Sequence, residues 1–195
     1  MVDGTRERIV VEALRLFAAQ GYAATSVAAI EKAAGLSPRS GSLYTHFGSK
    51  EQVMVAAVER AAGVAERLDL SAMLPLGDLR AELTLIARCS LQLMSGWRDL
   101  IRVIMKESEQ FPEVMATARA RLFAASYRFF ADYLAVAAPD RAGHDFEALS
   151  AIWLGAVESY WIMRDIYEAA PFAMDDERFI GQWVNTLMTT LGASR

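Results

Sequence analysis

Residues 25–50 read TSVAAIEKAAGLSPRSGSLYTHFGSK, and the fold turns on whether this stretch is two short helices joined by a sharp turn. Val27 and Ile30 give the first helix an apolar side, and Gly35 can take the left-handed conformation that ends it. Ser37 suits an N-cap and Pro38 the first helical position, so the second helix is predicted to start there. Leu36, Leu43 and Phe47 would pack it across the first helix, leaving Arg39, Ser40, Gly41 and Ser42 on its outer face. One charge, two hydroxyls and no bulk make a surface able to enter a DNA major groove, whose width admits a single helix.

Just downstream, Tyr44 and His46 are two positions apart and would point the same way in an extended segment, each able to donate to a phosphate oxygen. A lone histidine is usually surface or satisfied core; here its place between Tyr44 and Lys50 favours the phosphate role. Ser49 to Gln52 has the form of a capping box, opening a helix over 49–68 whose positive end lies beside Lys50. Upstream, residues 5–20 read as a helix with Ile9, Ala13, Leu16 and Phe17 on one side. Gly21 would stop it and Tyr22 fold back; the helix chiefly braces the motif, with Arg6 and Arg8 within reach of a phosphate.

The run Ala34-Gly35-Leu36-Ser37, then Leu43-Tyr44-Thr45-His46-Phe47, then Ser49-Lys50-Glu51 resembles the DNA-binding head of the TetR family of transcriptional regulators. Ile9, Ala13, Leu16, Phe17, Gly21, Tyr22 and Thr25 extend the resemblance across roughly the first fifty residues. The candidate DNA-binding set is Thr25, Ser37, Arg39, Ser40, Gly41, Ser42, Tyr44, His46 and Lys50. Two departures stand out. Members commonly have three residues between the serine and the Leu-Tyr pair, whereas this chain has five, Pro38 to Ser42. The family often has an arginine in the first of these helices where Ala28 stands, which removes one expected contact.

Composition sets the outer limits. The 195 residues suit one compact unit or a small head on a larger body, and 54% hydrophobic residues supply ample core. The single cysteine, Cys89, excludes an intramolecular disulfide and fits a reducing compartment. No signal-peptide segment or membrane-length apolar run is evident, so a cytoplasmic protein is expected. Residues 1–50 hold six basic against four acidic residues, a balance of +2. The total of -4 therefore leaves -6 for the remainder. A weakly basic head on an acidic body can bind phosphates while the body discourages other approaches, although an ordinary solvated surface would look the same.

The rest of the chain carries helical spacing throughout, with no strand alternation and no internal repeat. Breaks at Pro75, Gly77 and Gly96 separate helices over 78–95 and 97–110; Pro112 opens a long one to about 137, and 145–170 and 176–191 form a closing pair. The fold class is thus all-α: residues 1–50 a helix-turn-helix domain, and 51–195 a helical effector-binding and dimerisation domain linked through helix 49–68. The family resemblance implies a homodimer in which the closing pair meets its copy, with Trp153, Tyr160, Phe179, Ile180, Trp183, Val184 and Leu187 as candidates. The alternative is that these stripes only build the monomer core. The resemblance also implies an effector pocket. Its candidates are Met94, Trp97, Arg98, Met105, Phe123, Tyr127, Trp153 and Trp161, with Arg102, Arg128 and Glu158 as further polar groups. Any one of these aromatics is more often plain core than pocket lining.

Catalysis is not expected. His46 and His144 with one cysteine make no metal set or nucleophile dyad, and there is no glycine-rich phosphate loop, so neither cofactor nor metal is anticipated. The function so reached is a ligand-responsive regulator, most simply a repressor, that binds a palindromic DNA operator as a homodimer and is released by a small apolar effector. An all-helical lipid or small-molecule carrier, or a cryptic enzyme, would leave the head unexplained.

Overall fold

The computed structural model describes residues 2–68, 70–107, 109–138 and 143–192, and among them every regular element is helical. The order is α1 (Val2–Gln20), α2 (Val27–Ala33), α3 (Ser42–His46), α4 (Lys50–Arg67), α5 (Leu70–Met73), α6 (Leu79–Gly96), α7 (Arg98–Glu107), α8 (Pro112–Ala118), α9 (Ala125–Ala137), α10 (Phe146–Trp161) and α11 (Asp176–Thr190). π-Helical turns at Arg119–Ala124 and Ile162–Ile166 run on from α8 and α10. Local chemistry sets the boundaries. Ser26, Asp145 and Asp175 each accept a backbone N–H three residues on, from Ala29, Ala148 and Arg178, at 2.8–3.1 Å. Asp78 does the same for Arg80 and Ala81 at the start of α6.

Two compact units form. The first takes the described residues of 2–66 and 97–122, so α7 and α8 pack with the amino-terminal helices. Its core joins Ile9, Phe17, Ile30, Leu43, Val53, Met54, Val58, Leu100 and Val103. Each such side chain contributes roughly 1.5–3 kcal/mol by leaving water. Tyr22 does fold back after Gly21, its ring 5.0 Å from Phe17 and 4.4 Å from Phe111, edge-on to the latter.

The second unit takes the described residues of 67–96 and 123–192. Here α11 packs on α6, and α10 on α6 and α9. This corrects one expectation. Tyr160, Ile180, Trp183, Val184 and Leu187, assigned to a dimer interface, are buried within this unit. Trp183 stacks on Phe130 at 5.8 Å, meets Trp153 edge-on at 5.9 Å and donates its indole N–H to the Trp153 carbonyl at 2.8 Å. Tyr160 stacks on Phe179 at 4.1 Å. The only strongly apolar side of α11 is used at home, because a helix of this length buries its stripe against whatever neighbour its own chain supplies.

Candidate nucleic-acid interface

The end of α2 is closed as the sequence indicates. Gly35, at φ +73°, carries a Schellman arrangement: the Leu36 N–H donates to the Glu31 carbonyl at 2.8 Å and the Gly35 N–H to that of Lys32 at 3.1 Å. Leu43 and Phe47 are buried and Leu36 packs partly against the same core, crossing α3 over α2.

Beyond Gly35 the chain departs from expectation. The second helix starts at Ser42 and not at Ser37. Residues 37–41 form a turn closed by the Ser40 N–H on the Ser37 carbonyl at 3.3 Å. Arg39 and Gly41 both lie in the left-handed region, at φ +64° and +72°. Arg39, Ser40 and Gly41 therefore occupy a loop before α3 and not the outer face of a helix, and only Ser42 of the four lies within it. The reason is Glu31. Its side chain is fully buried (0% exposed), and its two oxygens accept the Arg39 N–H at 2.8 Å and the Leu43 N–H at 3.1 Å. Gly41 has no side chain to cap α3, so a carboxylate from α2 performs that task across the turn. A buried carboxylate needs such donors, and a helix begun at Ser37 would tie the Leu43 N–H to the Arg39 carbonyl and leave Glu31 one donor short.

Solvent meets Ser37, Pro38, Arg39 and Ser40, then Tyr44 (58% exposed) and Thr45. The Ser40 and Ser42 hydroxyls hydrogen-bond each other at 2.5 Å. Because Tyr44 and His46 sit in α3 they diverge by about 200° around its axis, and His46 is half-buried while Tyr44 stands clear.

Two further assignments are corrected. Thr25 is 1% exposed, its hydroxyl donating to the Gly21 carbonyl at 2.7 Å and accepting from the Gln20 amide at 3.0 Å. Lys50 turns inward. Its ammonium donates to the Tyr22 carbonyl at 2.6 Å and the Thr25 carbonyl at 2.9 Å and lies 3.9 Å from the centre of the Tyr22 ring. Burial lowers its pKa, partly offset by the charge of Glu107. The turn after α1 leaves carbonyls without helical partners, and Lys50 satisfies them. Glu107 completes this node by accepting the Tyr22 N–H at 3.2 Å, while Lys106 donates to the Ala18 carbonyl at 3.1 Å. Half of the capping box forms, with the Gln52 N–H on the Ser49 hydroxyl at 3.2 Å; the Gln52 side-chain oxygen accepts from the Gly48 N–H at 2.8 Å, one residue before the Ser49 N–H that the box would use. Arg6 lies over the Phe47 ring at 4.7 Å.

The expected effector residues divide between the units. Trp97, Arg98 and Met105 belong to the first; Met94, Phe123, Tyr127, Trp153 and Trp161 to the second. Trp161 is plain core, fully buried with its N–H on the Ser95 hydroxyl at 3.0 Å, and Met105 is exposed. Tyr127 is hydrogen-bonded to Glu158; burial, then the charge of and hydrogen bond to Glu158, push the phenol well above its usual range, and burial raises the carboxyl too. Trp97 and Trp153 each hold a buried indole N–H with no partner among the described residues. A cleft of about 260 Å³ in the second unit involves none of the eight. Arg88, Ser95, Arg164 and Asp176 line it, with Arg164 paired to Asp165 and Asp176. No sequence signal marks it, since Arg164 reaches it from a π-helical turn.

No described helix is long and apolar enough to cross a membrane.

Three comparisons bear on the head and the fold. Residues 9–57 match the family of bacterial regulatory proteins of the tetR type. Over 60 residues the chain is 40% identical to YerO, an uncharacterized HTH-type transcriptional regulator of Bacillus subtilis, a stretch covering 31% of this chain but only 20% of that protein. Over nearly its whole length it shares the fold of a fatty acid degradation regulator, FadR from Bacillus halodurans, with a TM-score of 0.76 at 17% identity, covering 98% of this chain and 96% of that one. It also matches AibR, solved in complex with isovaleryl coenzyme A and operator DNA, with a TM-score of 0.69 at 22% identity over 93% and 97% of the two chains. The match to the tetR-type family thus lies in the head, residues 9–57, while the likeness to these solved structures extends over nearly the whole chain and shows a shared fold.

Proposed function

We propose that the chain is a ligand-responsive, DNA-binding transcriptional regulator, acting as a repressor that holds a palindromic operator as a homodimer in the cytoplasm. The observation that carries this reading is the exposed surface of Ser37, Arg39, Ser40 and Tyr44, presented by a turn and helix whose backbone is anchored from below by Glu31. Residues 1–50 would serve as the DNA-binding domain, and 51–195 as the effector and dimerisation domain. Tyr44 would donate to a phosphate and fix register.

One half-site is short, and two heads a helical turn apart are the usual remedy. The apolar stripe of α11 being used internally, the outer face of α10 is the better candidate for the second copy. It carries Ala148, Ala151, Ile152 (63% exposed) and Gly155, and a Cβ built on Gly155 would meet nothing within 4 Å. A helical glycine costs roughly 0.5–1 kcal/mol against alanine, so close approach of another helix would give it a reason. The effector would be small and largely apolar. In each unit an unpartnered indole N–H, of Trp97 or Trp153, offers a ligand acceptor something to meet, and AibR offers a precedent for a ligand and an operator on one fold.

Release would be a population shift, and swinging heads from 1:99 to 99:1 takes about 5.5 kcal/mol of differential effector affinity. Selection of bound sequences from random DNA by the purified protein tests the reading. An enriched palindrome is expected; a pool left unenriched overturns it.

A further inference from the structure

The five-residue segment between Ser37 and Leu43 costs the protein something in two places. Arg39 holds a left-handed backbone that side chains disfavour, and Glu31 holds a carboxylate with no exposure to water. Each answers the other, because the Glu31 oxygens grip the Arg39 and Leu43 N–H groups on either side of Gly41. The result is a turn with fixed geometry and an arginine at its exposed tip. No side-chain partner for Arg39 occurs among the described residues, whereas Ser40 and Ser42 are engaged with each other. A phosphate contact needs no such fixing, since a long flexible cation finds a phosphate from many backbone positions. A bidentate contact to a base edge does, because the planar guanidinium must arrive in one orientation.

We propose that Arg39 is the specificity-determining residue, reading the O6 and N7 edge of a guanine in the major groove, and that Glu31 is its positioning residue. This rests on the DNA-binding reading above and adds to it where sequence is read: from the turn, and not from a helix face. The side chains of α3 itself then supply anchoring through Tyr44 and little base readout.

The test uses the full-length chain, sequence selection from random DNA, and amide hydrogen exchange. In the unsubstituted protein, the Arg39 and Leu43 amides exchange slowly without DNA, and the selected half-site carries a guanine at one fixed position. Arg39→Lys keeps the charge, and Arg39→Gly suits the same backbone. Both should lose roughly ten- to a hundredfold preference for that guanine while other positions keep theirs. Glu31→Gln should lose preference at the same position only, speed exchange at Arg39 and Leu43, and add nothing in an Arg39→Gly background. Full preference retained by Arg39→Gly would show that Arg39 does not read the guanine and overturn the proposal, as would Glu31→Gln weakening all positions alike. Should Glu31→Gln fail to fold, exchange in the unsubstituted chain still decides, since an unprotected Arg39 amide is incompatible with the Glu31 grip. An unenriched pool from the unsubstituted protein would instead sink the regulator reading itself.

Discussion

Glu31 and Glu82 are buried carboxylates in different units, and both spend their oxygens on the backbone of a turn. Glu82, on α6, accepts the Leu76 N–H at 2.6 Å and the Gly77 N–H at 2.9 Å, as Glu31 accepts those of Arg39 and Leu43. The difference lies in the third bond. Glu82 also accepts the Tyr133 hydroxyl at 2.6 Å and so ties α9 to α6, whereas the two bonds of Glu31 to the turn reach only eight and twelve residues along the chain. One carboxylate closes a core; the other shapes a surface. The same chemistry serves stability in the second unit and presentation in the first.

Removing each carboxylate tests that contrast. Glu82→Ala strands three donors and loosens α9, and should lower stability by about 3 kcal/mol in denaturant unfolding, with a shift in midpoint and no change in DNA contacts beyond that of a less stable protein. Glu31→Ala strands the Arg39 N–H of an exposed turn, which water can satisfy, and the Leu43 N–H in the buried start of α3, which it cannot, so about 2 kcal/mol is expected. Its DNA affinity should fall even at temperatures where the protein remains fully folded. Equal stability losses with no separate binding defect in Glu31→Ala would erase the distinction between the two.

Much of this architecture is legible in the sequence, and the misses share a cause. Helix ends set by local chemistry are plain in it: Gly35 with its left-handed backbone, the cap of Ser49 and Gln52, Tyr22 folding back beyond Gly21. The apolar periodicity of α11 likewise marks its buried side, though not what it is buried against. The start of α3 is hidden because the Ser37-Pro38 signal is local while Glu31, adjacent to Ile30 and outwardly an ordinary solvated charge, acts from another helix. Lys50 misleads for the same reason. Its charge suggests phosphate, but the carbonyls of Tyr22 and Thr25, 28 and 25 positions away in sequence, lie within hydrogen-bond reach of it. Buried polar groups choose partners by three-dimensional proximity, and spacing along the chain carries little of that.

Tyr133→Phe brings the two carboxylates closer to parity by reducing Glu82 to the two backbone donors that Glu31 has. Loss of one charge-assisted hydrogen bond should cost about 1.5 kcal/mol at neutral pH. Burial, then the hydrogen bond to Glu82 and its charge, hold the Tyr133 phenol far above its ordinary value near 10. A group whose pKa is raised on folding gives stability that is whole below the unfolded pKa and drains away as pH climbs past it. The unsubstituted protein should therefore lose stability above about pH 10 by this route, and Tyr133→Phe should lose less over the same interval. Parallel pH profiles for the two proteins would show that Tyr133 ionises as freely folded as unfolded.

A near-silent substitution decides from which side the turn is held. Ser40 and Ser42 join hydroxyls at 2.5 Å on the solvent side, and the Ser42 N–H approaches the Ser40 oxygen at 3.3 Å, so the turn has a second, outer set of bonds besides the grip of Glu31. Water competes freely for the outer set, and exposed hydrogen bonds of this kind leave substitutions within about 0.5 kcal/mol. Ser40→Ala should accordingly unfold at nearly the same denaturant concentration as the unsubstituted chain, keep the Arg39 amide protected from exchange, and bind the selected DNA with affinity changed less than about threefold. If instead Ser40→Ala released the Arg39 amide as fully as Glu31→Gln does, the two oxygens beneath the turn would not suffice to shape it, and Glu31 would fall back to the role Glu82 plays, a carboxylate that steadies the interior and leaves the surface to itself.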